Sequence, residues 1–271
     1  MMNSRFRIIA LVAMSFLAIL TVRHLRAAST EAGPASDGNR RTPVLVELFT
    51  SEGCSSCPPA DALLEKLDKS QPVGSADLVV LSEHVDYWNE IGWKDPYSSH
   101  QFSVRQGDYA LRFRLDSPYT PQMVVDGDME LVGSDERRAI QVIKNTIKTA
   151  KIPVVLSSIH REGDKTLAVH IEVGPSDSSG RRAPAQVLIA LADNSVQSSV
   201  RGGENSGRTL KHVAVVRNLT LVGTIDNAGM FSKDITVNTE NTDQRDLRII
   251  AIVQERGVGR VLGVGSGRVS N

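Results

Sequence analysis

The strongest constraint on the fold of this chain is a Cys-x-x-Cys pair, Cys54 and Cys57, which are the only cysteines among its 271 residues. The stretch before the pair, residues 44–49, is a short apolar run rich in strand formers. After the pair, apolar residues recur at the i, i+3, i+4, i+7 spacing of an amphipathic helix: Ala60, Leu63, Leu64 and Leu67. Both cysteines are therefore predicted to lie on the turn between a strand and a helix. The N-terminus of a helix favours a thiolate, so a thiol–disulfide site is the leading hypothesis.

The chain divides into two parts of different pattern. Residues 43–151 alternate strand and helix signals, which predicts an α/β layer fold. With the Cys-x-x-Cys pair at its first strand–helix turn, this part is predicted to be a thioredoxin-like domain. Residues 152–271 are β-rich and predict a smaller all-β, sandwich-like domain. Its five clearest strand signals are residues 154–160, 166–173, 186–192, 209–216 and 247–254.

The N-terminal segment, residues 1–28, has the composition of a targeting sequence. Two arginines precede an apolar stretch, residues 8–22, which has signal-peptide length and is short for a membrane span. A cleavage site after Ala28 would need a small residue where Arg26 stands. A signal peptide and an uncleaved N-terminal anchor therefore both stay open, followed by a flexible linker over residues 29–42. Either form predicts export to an oxidising compartment, where a disulfide persists.

Composition and motifs exclude several classes of function. The formal net charge is zero, with 31 basic and 31 acidic side chains, which argues against a general nucleic-acid surface. Gly257 and Gly259 begin a glycine pattern, but Leu262 stands where a dinucleotide-binding motif requires a third glycine. The sequence has no P-loop, no serine nucleophile elbow and no two-histidine zinc helix. We therefore expect no cofactor.

The cysteine pair itself has three serious interpretations. A redox-active pair is favoured, because a loop this tight would remove little denatured-state entropy as a structural staple. A purely structural disulfide is the main alternative. Structural zinc would need further ligands, whereas a site formed by Cys54, Cys57 and His84 would suit Cu(I), which thiolates select.

Polar and aromatic residues that follow the second predicted strand are the candidate substrate-binding residues: His84, Asp86, Tyr87 and Trp88. Asp86 is assigned either to proton transfer and the orientation of His84 or to capping of the next helix. The glycine-rich loop 201–208 is by default a hairpin turn. A second binding site formed by Glu204, Asn205, Arg208 and His212, or docking of the loop against the first domain, are the alternatives.

Several motifs, in order along the chain, resemble those of the domain of unknown function 1223 (DUF1223) family: residues 46–61, 84–88, 92–96, 119–127, 203–210 and 215–217. The resemblance covers residues 44–263 and implies an exported bacterial protein with a thioredoxin-like N-terminal part. Such a protein is periplasmic or secreted, or is anchored to the inner membrane. Within the wider thioredoxin-like superfamily, Thr120-Pro121 resembles the step whose cis proline faces the dithiol. This likeness implies that Thr120 and Pro121 shape the site.

The expected reaction is thiol–disulfide exchange, in which Cys54 attacks and Cys57 resolves the mixed disulfide. The expected partner is an exported protein or a small-molecule thiol or disulfide, with no nucleic acid. Membrane contact is expected only through an uncleaved anchor, and the sequence predicts no oligomeric state. The alternatives are a periplasmic copper-binding or copper-delivery module and a non-catalytic adaptor with a structural disulfide.

Overall fold

A computed structural model describes residues 41–175, 184–225, 230–240, 242 and 246–269 of the chain. They belong to one compact unit that begins at Arg41. The predicted signal peptide or anchor, residues 1–28, and nearly all of the predicted linker lie outside the described residues. No helix of the described part is both long and apolar enough to cross a membrane.

Strands and helices alternate in the first part of the described chain. The elements are β1 (Thr42–Thr50), α1 (Pro58–Ser70), β2 (Ala76–His84), a short 3-10 helix (Asn89–Ile91), α2 (His100–Phe113), β3 (Gln122–Val125), β4 (Met129–Val132) and α3 (Glu136–Thr146). The predicted apolar stripe of α1 is buried against the sheet, with Leu64 and Leu67 almost fully excluded from solvent. Helix and strand periodicity therefore identified this part of the fold.

The second part forms strands, and no helix occurs in its described residues. The strands are β5 (Val154–Arg161), β6 (Thr166–Val173), β7 (Ala185–Ser199), β8 (Thr209–Ile225), β9 (Phe231–Asn238), β10 (Leu247–Glu255) and β11 (Val261–Arg268). The sequence signals identified five of these strands and missed β9 and β11. In β11 the signal is hidden by Gly263, Gly265 and Gly267. A Cβ at the first of these would lie 2.4 Å from the carbonyl oxygen of Ile152, so glycine permits the close approach of the chain leading into β5.

Two sheets organise the described residues. The eight-stranded sheet has the order β11-β10-β7-β8-β2-β1-β3-β4, and the three-stranded sheet has the order β5-β6-β9. β1 and β2 are parallel, β3 pairs with β1 in the antiparallel sense, and β8 joins the edge of β2 through Ser82 and Val215. Strands from both sides of the predicted boundary at residues 151 and 152 therefore share one large mixed sheet. The architecture is mixed α/β with few helices.

The three-stranded sheet packs on the outer half of the large sheet. One apolar cluster joins Leu167 and Ile171 of β6 to Val187 of β7 and to Ile249 and Val253 of β10. A separate cluster joins α1 and α3 to strands β1, β2 and β3. Apolar burial of this kind is the main favourable term for the fold.

A buried polar cluster lies between α2 and the large sheet. The carboxylate of Glu47 accepts hydrogen bonds from Arg105 Nε at 2.8 Å and from the Tyr109 hydroxyl at 2.7 Å. Arg105 also forms a 3.6 Å ion pair with Glu83, and its guanidinium donates to Gln254 at 3.0 Å. Glu47 and Glu83 are fully buried, and Arg105 is only 8% exposed. Arg105 therefore places one positive charge beside both buried carboxyl groups.

Glu83→Gln is expected to stabilise the protein, and to do so more at higher pH. Burial raises the pKa of Glu83 well above its usual range and Glu47 raises it further, while Arg105 opposes both effects. The folded state therefore keeps a proton that the unfolded state releases above about pH 4.5, so this cost to folding is absent in acid and grows as the pH rises. Chemical denaturation of both proteins at about pH 4 and about pH 8 measures the difference. An equal gain at both pH values would contradict it.

Candidate functional site

The two cysteines form a closed disulfide at the turn between β1 and α1, with a Cα–Cα distance of 5.4 Å. Cys57 is the N-cap of α1, and Pro58 and Pro59 occupy its first two positions. This placement follows from the sequence, because proline lacks an N–H and is tolerated where the first helical N–H groups have no partner within the helix. The carbonyl oxygen of Cys57 accepts the backbone N–H of Asp61 at 3.1 Å. Both cysteine side chains are fully buried.

The Thr120–Pro121 peptide bond is cis, as the resemblance implied. Pro121 immediately precedes β3, whose Gln122 pairs with Phe49 near the end of β1. The indole Nε1 of Trp88 donates to Thr120 Oγ1 at 2.8 Å. The Trp88 Cβ also lies 3.0 Å from the place that a Cβ on Gly53 would occupy. Trp88 therefore connects the Thr120–Pro121 step to the loop that carries the disulfide.

The other predicted substrate-binding residues have separate environments. His84 is fully buried, and its Nδ1 lies 2.7 Å from Asp95 Oδ2. Asp86 instead contacts the start of α2, where its carboxylate lies 3.2 Å from His100 Nδ1. The group that orients His84 is therefore Asp95, and the proposed pairing of Asp86 with His84 is wrong. Tyr87 is 43% exposed, and its hydroxyl donates to Gln106 Oε1 at 3.0 Å.

The alternative copper site is not assembled in this structure. The sulfurs of Cys54 and Cys57 are bonded to each other, and one ring nitrogen of His84 contacts Asp95. Among the described residues, no group of three or more histidine, cysteine, aspartate or glutamate side chains has the arrangement to hold a metal ion.

A buried charged cluster lies beside the disulfide and joins residues that are distant in sequence. Glu52 precedes Cys54 by two residues, and its carboxylate accepts the indole N–H of Trp93 at 2.8 Å and the hydroxyl of Ser198. His212 of β8 lies between two carboxylates, with its Nε2 3.4 Å from Glu52 Oε1 and its Nδ1 3.6 Å from Asp61 Oδ1. Both contacts are ion pairs, and neither ring nitrogen of His212 makes a hydrogen bond to another described residue.

The charges around His212 and Asp95 shift the pKa values of these two residues. Burial disfavours the charged form of His212, but Asp61 and Glu52 outweigh it and raise the pKa of His212 to about 10. Burial likewise opposes the ionisation of Asp95, but His84 and the N–H groups of Glu52 and Tyr97 lower the pKa of Asp95 below its usual value. The region near the disulfide therefore contains an imidazolium held between carboxylates.

The loop 201–208 docks against the disulfide loop. Asn205 is buried, and its side-chain amide donates to the carbonyl oxygens of Glu52 and Cys54, both at 2.9 Å. Glu204 accepts the backbone N–H of Ser55 at 2.9 Å. The same loop also approaches the backbone at Gly92. A Cβ on Gly202 would lie 2.1 Å from the carbonyl oxygen of Gly92, so this close approach requires glycine at position 202. The loop is also the hairpin connection between the antiparallel strands β7 and β8, where Ser199 pairs with Thr209, so the structure shows both the hairpin turn and the docking.

Sequence reasoning grouped Asn205 and His212 in one possible binding site but did not place them beside Glu52, and it missed Asp61 and Asp95. One available signal was the alternation of exposed and buried residues at the start of β8, where Leu210 and His212 are buried and Thr209 and Lys211 are exposed. A histidine at an inward strand position requires buried partners, because a buried polar group without a partner is costly. The partners themselves come from other elements and are not readable from the sequence.

Comparisons with known proteins agree with the family resemblance. A family model described as "Protein of unknown function (DUF1223)" matches residues 45–254. The crystal structure of protein AGR_C_4864 from Agrobacterium tumefaciens is 25% identical, with a TM-score of 0.63 over 84% of this chain and 94% of that one. HBP35 of Porphyromonas gingivalis is 16% identical, with a TM-score of 0.58 over 84% of this chain and 75% of that one, and shows a similar fold. A comparison with curated proteins gave no match.

Proposed function

This chain belongs to the DUF1223 family of proteins of unknown function, and we propose from its own residues that it is a thiol–disulfide oxidoreductase that acts through Cys54 and Cys57. The observation that carries the proposal is the position of the disulfide, at the end of β1 and at the N-cap of α1. A thiolate that forms at this position on reduction is favoured by the dipole of α1.

The surrounding elements support a thioredoxin-like assignment for this part of the chain. β2, β1, β3 and β4 are neighbours in the sheet, with α1 connecting the parallel pair β1 and β2, and α3 following the antiparallel pair β3 and β4. The Thr120–Pro121 step precedes β3 and is linked through Trp88 to the disulfide loop. We propose that Thr120 and Pro121 form the wall against which a partner cysteine is placed.

The proposed reaction exchanges one disulfide for another. A thiolate of a partner dithiol attacks Cys54 Sγ, the Cys54–Cys57 bond breaks, and Cys57 leaves as a thiolate that takes up a proton. The second thiol of the partner, after losing its proton, attacks the mixed disulfide and releases the Cys54 thiolate. The partner is oxidised by two electrons, and the cysteine pair is reduced by two. We propose an exported protein or a small-molecule dithiol as partner, and the reverse sequence describes reduction of a partner disulfide.

Access to the sulfurs requires a change in the loops that cover them. Both cysteines are fully buried, and Asn205 bonds to the backbone on the N-terminal side of the pair. We propose that loop 201–208 moves away from the disulfide loop when a partner binds. The same contacts also favour a second function, a non-catalytic adaptor in which the disulfide is structural, because a covered bond is protected from exchange.

The reduction potential of the Cys54–Cys57 pair separates these two functions. Equilibration of the protein against glutathione is expected to place the potential between about −270 and −120 mV, the range of known exchange proteins. Cys57→Ser is then expected to accumulate mixed disulfides through Cys54, whereas Cys54→Ser, as the matched control, is not. A potential below about −300 mV would identify a structural bridge and overturn the oxidoreductase.

A further inference from the structure

The ion cluster beside the disulfide includes residues on both sides of the cysteine pair. Glu52 comes two residues before Cys54, and Asp61 lies in the first turn of α1, four residues after Cys57. His212 reaches both carboxylates from β8, at 3.4 and 3.6 Å. All three cluster residues are at least 95% buried, with exposures of 0%, 5% and 1% in chain order. A strand of the second part of the chain therefore supplies the positive charge for a site built by the first.

The cluster contains more negative than positive charge. Its imidazolium faces two carboxylates, and within the described part of the chain neither carboxylate oxygen of Asp61 and neither ring nitrogen of His212 has a hydrogen-bond partner. Charge pairing therefore offsets the cost of burying Asp61 and His212.

Other titratable groups also face His212. Its ring lies 4.7 Å from that of His84, whose partner is Asp95, and 6.0 Å from that of Tyr97. The guanidinium of Arg217 covers the Tyr97 ring at 5.3 Å. Arg217 is in turn within 3.6 Å of Asp193, so its charge is already paired.

We propose that the cluster of Glu52, His212 and Asp61 sets the direction of the exchange reaction: its excess negative charge keeps the reduced Cys54 and Cys57 as thiols and so biases the pair towards the disulfide. This inference rests on the oxidoreductase function proposed above. A nearby negative charge opposes formation of a thiolate, and a reduced form that lacks thiolate stabilisation is a better electron donor. His212 is a positioning residue in this arrangement, because it allows two carboxylates to be buried together at the disulfide.

The test is the thiolate titration of the reduced, full-length protein, followed by ultraviolet absorbance against pH. Glu52→Gln and Asp61→Asn each remove one negative charge and conserve the shape of the side chain. Each is expected to increase the thiolate fraction at a fixed pH by about tenfold. The reduction potential is expected to rise in the same variants, by at most about 30 mV for a tenfold change in the equilibrium constant. His160→Gln, at an exposed histidine of β5, is the control and is expected to leave both quantities unchanged.

His212→Gln tests the positioning role with a different readout. The substitution removes the positive charge that faces Glu52 and Asp61 and removes no negative charge, so the thiolate fraction is expected not to rise. Because its pKa of about 10 in the folded state exceeds the ordinary value of 6.5, His212 contributes stability that is complete below pH 6.5 and is lost as the pH approaches 10. The stability difference between the wild type and His212→Gln is therefore expected to shrink over that interval.

Two results would overturn the inference. The first is an unchanged thiolate titration in both Glu52→Gln and Asp61→Asn, which would leave the cluster a purely structural clamp. The second is a rise of the thiolate fraction in His212→Gln. If His212→Gln does not fold, the two carboxylate variants decide the question by themselves. Failure of the oxidoreductase function is a separate outcome, namely a wild-type protein that exchanges with no dithiol while the titrations shift as expected.

Discussion

Arg105→Met is expected to destabilise the protein by about 3–5 kcal/mol at neutral pH, because it leaves buried carboxyl groups without their cation. Arg105 is the one cation within reach of both Glu47 and Glu83 in the described structure, at 2.8 and 3.6 Å. Methionine nearly retains the length of the arginine side chain. The decrease in the free energy of unfolding therefore reflects the lost charge more than the lost volume. The free energy of unfolding from urea titration is the measurement.

Acid is expected to reduce the effect of Arg105→Met. Protonation in acid removes negative charge, and an uncharged carboxyl group does not need a cation beside it. Glu83→Gln in the same chain provides the matched background, since it removes one of these two groups in advance. Arg105→Met is expected to cost less in that background than in the wild type. A cost independent of both pH and background would show that Arg105 stabilises the fold through packing alone.

Asn205→Ala is expected to accelerate the reduction of the Cys54–Cys57 disulfide about tenfold or more. The side-chain amide of Asn205 is the donor that joins loop 201–208 to the carbonyl oxygens of Glu52 and Cys54. Loss of a buried hydrogen-bond donor costs about 1–3 kcal/mol, and each 1.4 kcal/mol taken from the closed form increases the open population about tenfold. Reduction by dithiothreitol, followed through labelling of the released thiols, measures the rate.

Asn205→Asp is the sharper variant, because it has nearly the same shape but presents an oxygen to each carbonyl instead of a donor. It is expected to accelerate reduction at least as much as Asn205→Ala. Asn218→Ala is the control, since Asn218 lies on β8 and its side chain contacts Thr220. Equal reduction rates for the wild type and both Asn205 variants, with the fold intact, would show that the loop does not control access to the disulfide.

The first part of the fold was largely predictable, because its signals are local. The stripe of Ala60, Leu63, Leu64 and Leu67 predicted α1, and Pro58 favoured a start of the helix after Cys57, as the structure shows. β11 was not predictable, because its alternate glycines resemble a loop until β5 is placed against them. Sequence signals for strands come from large side chains that become buried. The glycines of β11 have no side chain and instead allow a neighbouring backbone to approach closely.

The candidate site was predictable only in its cysteines and their immediate neighbours. Local sequence offered Asp86, two residues away, as one candidate to orient His84, whereas the partner is Asp95 beyond a 3-10 helix. The contact of Asn205 with the disulfide loop joins residues about 150 positions apart in sequence. Such contacts depend on how β8 extends the sheet beside β2, which no local pattern specifies.

Local spacing and ordered motifs were enough to predict the family, the strand–turn–helix position of the cysteine pair and the strand-rich character of the second part. Three features became visible only in the folded chain: the strands of both parts form one large mixed sheet, loop 201–208 covers the disulfide, and His212 lies between Glu52 and Asp61. Charge pairing and coverage depend on distances in space. Those distances are set by the register of β8 against β2, and not by separation along the chain.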